Sequence, residues 1–218
     1  QPIPFDSASS YFSFDPASRR LTFDTISLQS DLVTTTASGH AILLGEGQGL
    51  PDGLLGQFEL SDVAAKPYLN LATEVALDQV TMDFKLMFDP LKVNLGRLLI
   101  TLPEGEIAVD GAATAEPDGW RWALNLTSGS ATPEHILRYW PSDLKSKLRR
   151  WIAANILDGA LSDINLYLRS APNQNLRTHL GFLFRDARVK FLKTLPPLQD
   201  AVGYVTLTDA RLVAGIEA

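Results

Sequence analysis

The 218-residue sequence has no cysteine, only three histidines and only two methionines. Without cysteine there are no disulfides, thiolate nucleophiles or thiolate metal ligands, although the redox compartment stays open. The histidines, His40, His135 and His179, stand far apart and none falls in a His-x-x-x-His or His/carboxylate cluster, so no metal site is expected. A Gly-x-Ser-x-Gly nucleophile elbow is also missing, as is a phosphate loop with its Lys-Ser/Thr ending. The run from Asp158 to Asp163 lacks the additional acidic residues and distal Glu of a calcium loop, and is read as a helix stop and strand turn. No catalytic residue and no cofactor are therefore expected; a hydrolase would need a cleft with paired carboxylates, which the sequence does not reveal, and loss of a measured turnover on mutating Asp158 and Asp163 would revive that reading.

Positive charge is also scarce. Lysine and arginine total 19 against 25 acidic residues, a net charge of −6, and this balance argues against a nucleic-acid partner. No window approaches the ~18 consecutive apolar residues of a membrane span, and the Gln1-Pro2-Ile3-Pro4 start has no signal-peptide pattern. The expectation is a soluble segment. Because the pattern breaks off at Gly215-Ile216-Glu217-Ala218, it is expected to be a piece of a larger protein.

What the sequence does have is alternation. With 45% hydrophobic and 20% charged residues it has the composition of a folded protein. Apolar side chains recur every second residue at Trp120, Trp122, Leu124 and Leu126, at Val80 to Leu86, at Leu91 to Leu95, at Ile164, Leu166 and Leu168, and at Leu180, Phe182 and Phe184. That period is the mark of strands with two unlike faces. Turn residues separate the runs at Asp15-Pro16, Asp89-Pro90, Pro103-Glu104-Gly105, Pro117-Asp118-Gly119 and Asp158-Gly159, which implies an antiparallel meander. The Gly-rich stretch Gly45 to Gly56 is read as a loop and candidate hinge. A faint repeat aligns Phe14-Asp15-Pro16, Leu21, Ile26 and Val33 with Phe88-Asp89-Pro90, Leu95, Ile100 and Ile107, suggesting a stacked strand module.

One stretch breaks the rhythm. Thr132-Pro133-Glu134 is an N-cap, a first-turn proline and an acid at the positive end of a helix dipole. Leu144, Leu148, Trp151, Ile152 and Ile156 then fall at helical spacing, with Gly159 as the stop. Two short helices broken at Trp140-Pro141 are expected, with Trp140 and Trp151 as core anchors. Lys145, Lys147, Arg149 and Arg150 are read as a solvated helix face in preference to a membrane-binding one. The Asn125-Leu126-Thr127 sequon lies within a strand and is taken as incidental. The resulting division is an N-terminal antiparallel segment over 1–131, a helical insert over 132–158 with the helical pair near 133–157, and a C-terminal β segment over 159–218.

Tyr139-Trp140-Pro141, Arg150-Trp151, Asn155-Ile156-Leu157-Asp158-Gly159, Phe191-Leu192, Leu195-Pro196-Pro197-Leu198 and Gly203 together resemble the large bacterial AsmA-like proteins, with the YhdP-type branch nearest. That resemblance implies a mainly β fold with a small α insert, its extended antiparallel sheet curved like a taco into a repeating groove. It also implies a periplasmic segment of an inner-membrane-anchored protein, implicated in phospholipid transport toward the outer membrane. Its partners would be phospholipid acyl chains, neighbouring segments of the same full-length protein and membrane partners of unknown identity. The anchor and the terminal partner-binding segments of such proteins are absent from this sequence. The residues expected to line the groove are Trp120, Trp122, Leu124, Leu126, Ile164, Leu166, Leu168, Phe182 and Phe184, each with an equal claim to be ordinary sandwich core. The alternative function is a structural spacer or protein-interaction β module without lipid.

Overall fold

A computed structural model describes residues 6–31, 33–45, 49–65, 75–140, 146–190, 194, 196–209 and 211–217. Twelve described strands run in chain order: β1 (Ser7–Asp15), β2 (Arg20–Gln29), β3 (Val33–Leu44), β4 (Gly53–Ala65), β5 (Val75–Phe88), β6 (Leu91–Leu102), β7 (Gly105–Glu116), β8 (Gly119–Ala131), β9 (Ile156–Ser170), β10 (Arg177–Val189), β11 (Leu198–Thr208) and β12 (Arg211–Glu217). Each pairs antiparallel with the next, so the sheet order is the chain order, and the sheet is open and curved. The helices α1 (Pro133–Tyr139) and α2 (Ser146–Asn155) lie between β8 and β9, which still pair directly. The N- and C-terminal segments thus form one continuous sheet, and the helices are an excursion from it.

Register shows why the alternation matters. Leu168 faces Leu124, which faces Gly111, then Leu95 and Phe84; one level on, Leu166, Leu126, Val109, Leu98 and Met82 follow one another across the same strands. Residues paired across strands share a face, so one face is apolar from β1 to β12. The opposite face carries many polar side chains, among them His40, Gln57, Asp83, Lys92, Asp110, Arg121, Asn125 and Arg169, together with exposed Leu55 and, on β10 to β12, exposed Leu183, Tyr204 and Val213.

The curvature has a local cause. Asp62, Asp163, Asp186 and Asp200 adopt left-handed backbone angles, φ 51°, 51°, 51° and 53°, a region that short polar side chains tolerate. Each sits where the strand register shifts, and each is followed by an inward-facing buried residue: Val63, Ile164, Ala187 and Ala201. A bulge bends its strand and increases the local twist, so bulges repeated on one face curl the sheet. All four aspartates are exposed.

Among the described residues, the helices cover the C-terminal end of the apolar face. Leu148 and Ile152 of α2 join Leu161, Ile164, Leu180, Phe182, Phe184, Val189 and Val205 in one buried cluster, with Trp140 and Trp151 half-buried against it. Beyond the helices much of the described apolar face is open: Phe12, Phe14, Phe88, Leu91 and Trp120 are 39–60% exposed, while the smaller Ala41, Val63 and Val80 are buried between their neighbours. The chain exposes 13480 Å², against roughly 9,900 Å² for a compact monomer of this mass.

Several expectations are corrected. The insert ends at Asn155, because Ile156 and Asp158 already pair with Val189 and Arg188; Ile156 is a strand residue, and Gly159 is a strand position (φ 131°), so neither the helix stop nor the Asp158-Gly159 turn exists. Gly53 to Gly56 belong to β4, which shortens the expected loop. The repeat holds in strand rhythm but not in register: Asp15 pairs with Arg20 across a four-residue turn, whereas Phe88 pairs with Leu91 across two residues. Thr132 caps α1 as expected, accepting from the His135 amide, and Pro133 opens the helix. Pro141, Leu144, Lys145, Phe191, Leu192 and Leu195 lie outside the described residues.

Ile152, with no exposed surface, is the most deeply buried α2 residue against the sheet. Ile152→Ala is expected to cost about 3 kcal/mol by cavity formation, read as a lower urea midpoint; a shift below about 1 kcal/mol would mean that the helices do not hold the core.

Candidate functional site

The open part of the apolar face has an aromatic floor. Phe12, Phe23, Phe58 and Phe84, from β1, β2, β4 and β5, form a row with successive ring centroids 5.7, 5.5 and 6.0 Å apart. The missing member of the row is Gly39 of β3, which pairs with both Phe23 and Phe58. A Cβ at Gly39 would lie 2.9 Å from Phe58 Cδ1, and one at Gly56 would lie 2.7 Å from Phe84 Cζ. The glycines let the rings lie down across the strands instead of standing up from them. At ~4.8 Å per strand, twelve strands make an apolar trough about 50 Å long.

All nine expected groove residues fall on this face, on β8 (Trp120, Trp122, Leu124, Leu126), β9 (Ile164, Leu166, Leu168) and β10 (Phe182, Phe184). They differ in access. Trp120 is 46% exposed at the rim and Trp122 and Leu124 are half-buried in the open trough. Leu126, Ile164, Leu166, Leu168 and Phe182 lie in the walls of a pocket roofed by the helices. Phe184 is buried in the core cluster beneath them. The larger part of the floor, on β1 to β7, was missing from that expectation; its signal was the row of phenylalanines, each at an inward position of its strand.

The roofed pocket has a volume of about 300 Å³. Leu126, Ile164, Leu166, Leu180 and Phe182 form its floor, and Ile136, Tyr139, Trp140 and Leu148 its roof. At one edge Glu104, in the β6–β7 turn, ties down α1: Arg138 Nη1 donates to its Oε1 at 3.2 Å, His135 Nε2 lies 3.6 Å from the same oxygen, and the Tyr139 hydroxyl donates to Oε2 at 3.4 Å. Burial, and then the charge of Glu104, hold the Tyr139 phenol above its usual pKa, so it remains a neutral donor. Arg149, expected as part of a solvated basic face, instead turns back and donates to the Leu137 and Trp140 carbonyls at the end of α1.

The chemistry on offer is burial. Among the described residues no three histidines, aspartates or glutamates converge. His40 and His179 lie on the polar face, where His179 Nδ1 is 3.1 Å from Thr208 Oγ1; Asp158 and Asp163 are exposed on β9 and build no cleft together. No described helix is long and apolar enough to cross a membrane. No family profile, curated protein or solved structure matches the chain.

Two variants test this geometry. Gly56→Val is expected to force Phe58 and Phe84 apart and to destabilise by about 1–3 kcal/mol, with altered ring-proton shifts of both phenylalanines; undisturbed rings would refute the close packing. Glu104→Gln should loosen α1 by about 1 kcal/mol, seen as faster amide exchange in α1 while β10 stays protected.

Proposed function

We propose that this chain is a non-enzymatic lipid-holding segment whose apolar trough carries acyl chains, within a periplasmic, inner-membrane-anchored AsmA-like protein that moves phospholipid toward the outer membrane. The observation that carries the reading is the apolar face running across consecutive strands of the sheet, much of it left uncovered by the described residues, with Phe12, Phe14, Phe88, Leu91 and Trp120 exposed on it. A monomer seldom leaves so large a contiguous apolar surface bare unless something binds there. Each methylene buried on such a floor contributes roughly 0.8 kcal/mol, so chains are held without a head-group pocket and can slide from one strand level to the next. The sequence resemblance to AsmA-like proteins supports the same reading.

A second reading is favoured by the sheet edges. Among the described strands β1 and β12 each have one neighbour, and β1 is exposed along its whole length, with Tyr11 72% exposed. Strand addition at such an edge suits a spacer or interaction module, and it equally suits neighbouring segments that lengthen the trough.

Native mass spectrometry of protein purified without detergent is expected to find bound phospholipid. Phe58→Asp and Leu98→Asp, on the open floor, should lower the lipid load at least ~10-fold, whereas Thr81→Asp on the polar face should not. Lipid-free protein that also refuses labelled phospholipid from vesicles would leave the spacer reading.

A further inference from the structure

Among the described residues, Thr178 Oγ1 is the one buried side-chain polar atom without a hydrogen-bond partner. Thr178 is 4% exposed and lines the roofed pocket next to Leu168, Leu180 and Leu207. Its backbone groups are engaged: the amide donates to Asp209 Oδ1 at 2.9 Å, and the carbonyl accepts from the Asp209 amide at 2.7 Å. The hydroxyl alone is unused. A buried hydroxyl without a partner is costly, and valine fills the same space without that cost. A polar atom left unpaired in the wall of an apolar cavity marks where a ligand's polar atom belongs.

We propose that the roofed pocket binds one neutral single-chain amphiphile, a straight alkyl chain ending in a hydroxyl or ester-type carbonyl that hydrogen-bonds to Thr178 Oγ1. Size limits the ligand to one chain. A dry cavity of about 150 Å³ takes the six carbons of benzene, so about 300 Å³ takes roughly twelve. The lining makes the end group neutral: among the described residues no lysine or arginine lines the pocket, and its ionisable residues, Glu104, His135 and Tyr139, lie together at the α1 edge. A carboxylate at Thr178 would be a buried charge with no counter-ion among the described lining residues. The pocket therefore selects by end group, whereas the open trough selects only for apolar chains.

This inference rests on the acyl-chain reading for its ligand class, yet the two fail separately. Isothermal titration of lipid-stripped protein with 1-decanol is expected to saturate at one molecule per chain, and 10-bromo-1-decanol to quench Trp140, a quench lost in Trp140→Phe. Decanoate should bind at least ~10-fold more weakly. Thr178→Val should weaken 1-decanol about fivefold, the worth of one hydrogen bond, without lowering its own melting temperature, and Thr178→Ser should retain wild-type affinity. Absence of saturation, decanoate binding as tightly as 1-decanol, or equal affinity in Thr178→Val would overturn the proposal. Phospholipid uptake without 1-decanol binding would sink the pocket and leave the trough standing; 1-decanol binding without phospholipid uptake would do the reverse.

Discussion

The packing of Ile152 and Leu148 against Phe182, Phe184, Val189 and Val205 is the contact on which the remaining sheet depends. A single-layer sheet has no interior of its own. Strand pairing satisfies the backbone but buries few side chains, and an isolated hairpin is marginal in water. Here two short helices supply a second layer over β8 to β11, and that small region holds the large buried cluster of the described residues. Towards β1 each strand is stabilised mainly by the strand beside it, as in repeat proteins, where stability is a sum of nearest-neighbour terms. The helical insert is therefore the nucleus of the molecule's tertiary structure, although it contributes only seventeen helical residues.

This arrangement also divides the apolar face by purpose. Under the helices the face is a core with one cavity in it; beyond them it is a surface without an opposing layer. The Glu104 cluster and Arg149 fix the border between the two regimes by fastening α1 to the β6–β7 turn and α2 to the end of α1. A trough closed at one end and open along most of its length follows from where a pair of short helices can reach.

Much of the fold was legible because alternation is a local property. Trp120 to Leu126 and Leu180 to Phe184 announce their inward faces in their own sequence, and Thr132-Pro133 announces the helix start. The helix end is not legible locally, because Ile156 continues the helical spacing while also pairing with Val189, and the sheet hydrogen bonds prevail over the local periodicity. Which face is covered was not legible at all. Leu124 and Phe184 follow the same alternation, and only the reach of α2 makes one a trough residue and the other a core residue. The bulges did leave a trace: inward residues two apart become three apart at Leu60–Val63, Leu161–Ile164 and Phe184–Ala187, each time with an aspartate just before the second. The buried, unpaired Thr178 hydroxyl left none, since threonine is at home in any strand.

The aspartates that curl the sheet also decide how the molecule behaves in company. An extended sheet with a long exposed edge and flat faces is a template for cross-β stacking. Asp62, Asp163, Asp186 and Asp200 all stand exposed beside their bulges. Two copies approaching back to back would bring like charges together over surfaces too bent to lie flat on one another. The devices that make the trough concave thus also oppose the association of one chain with the next.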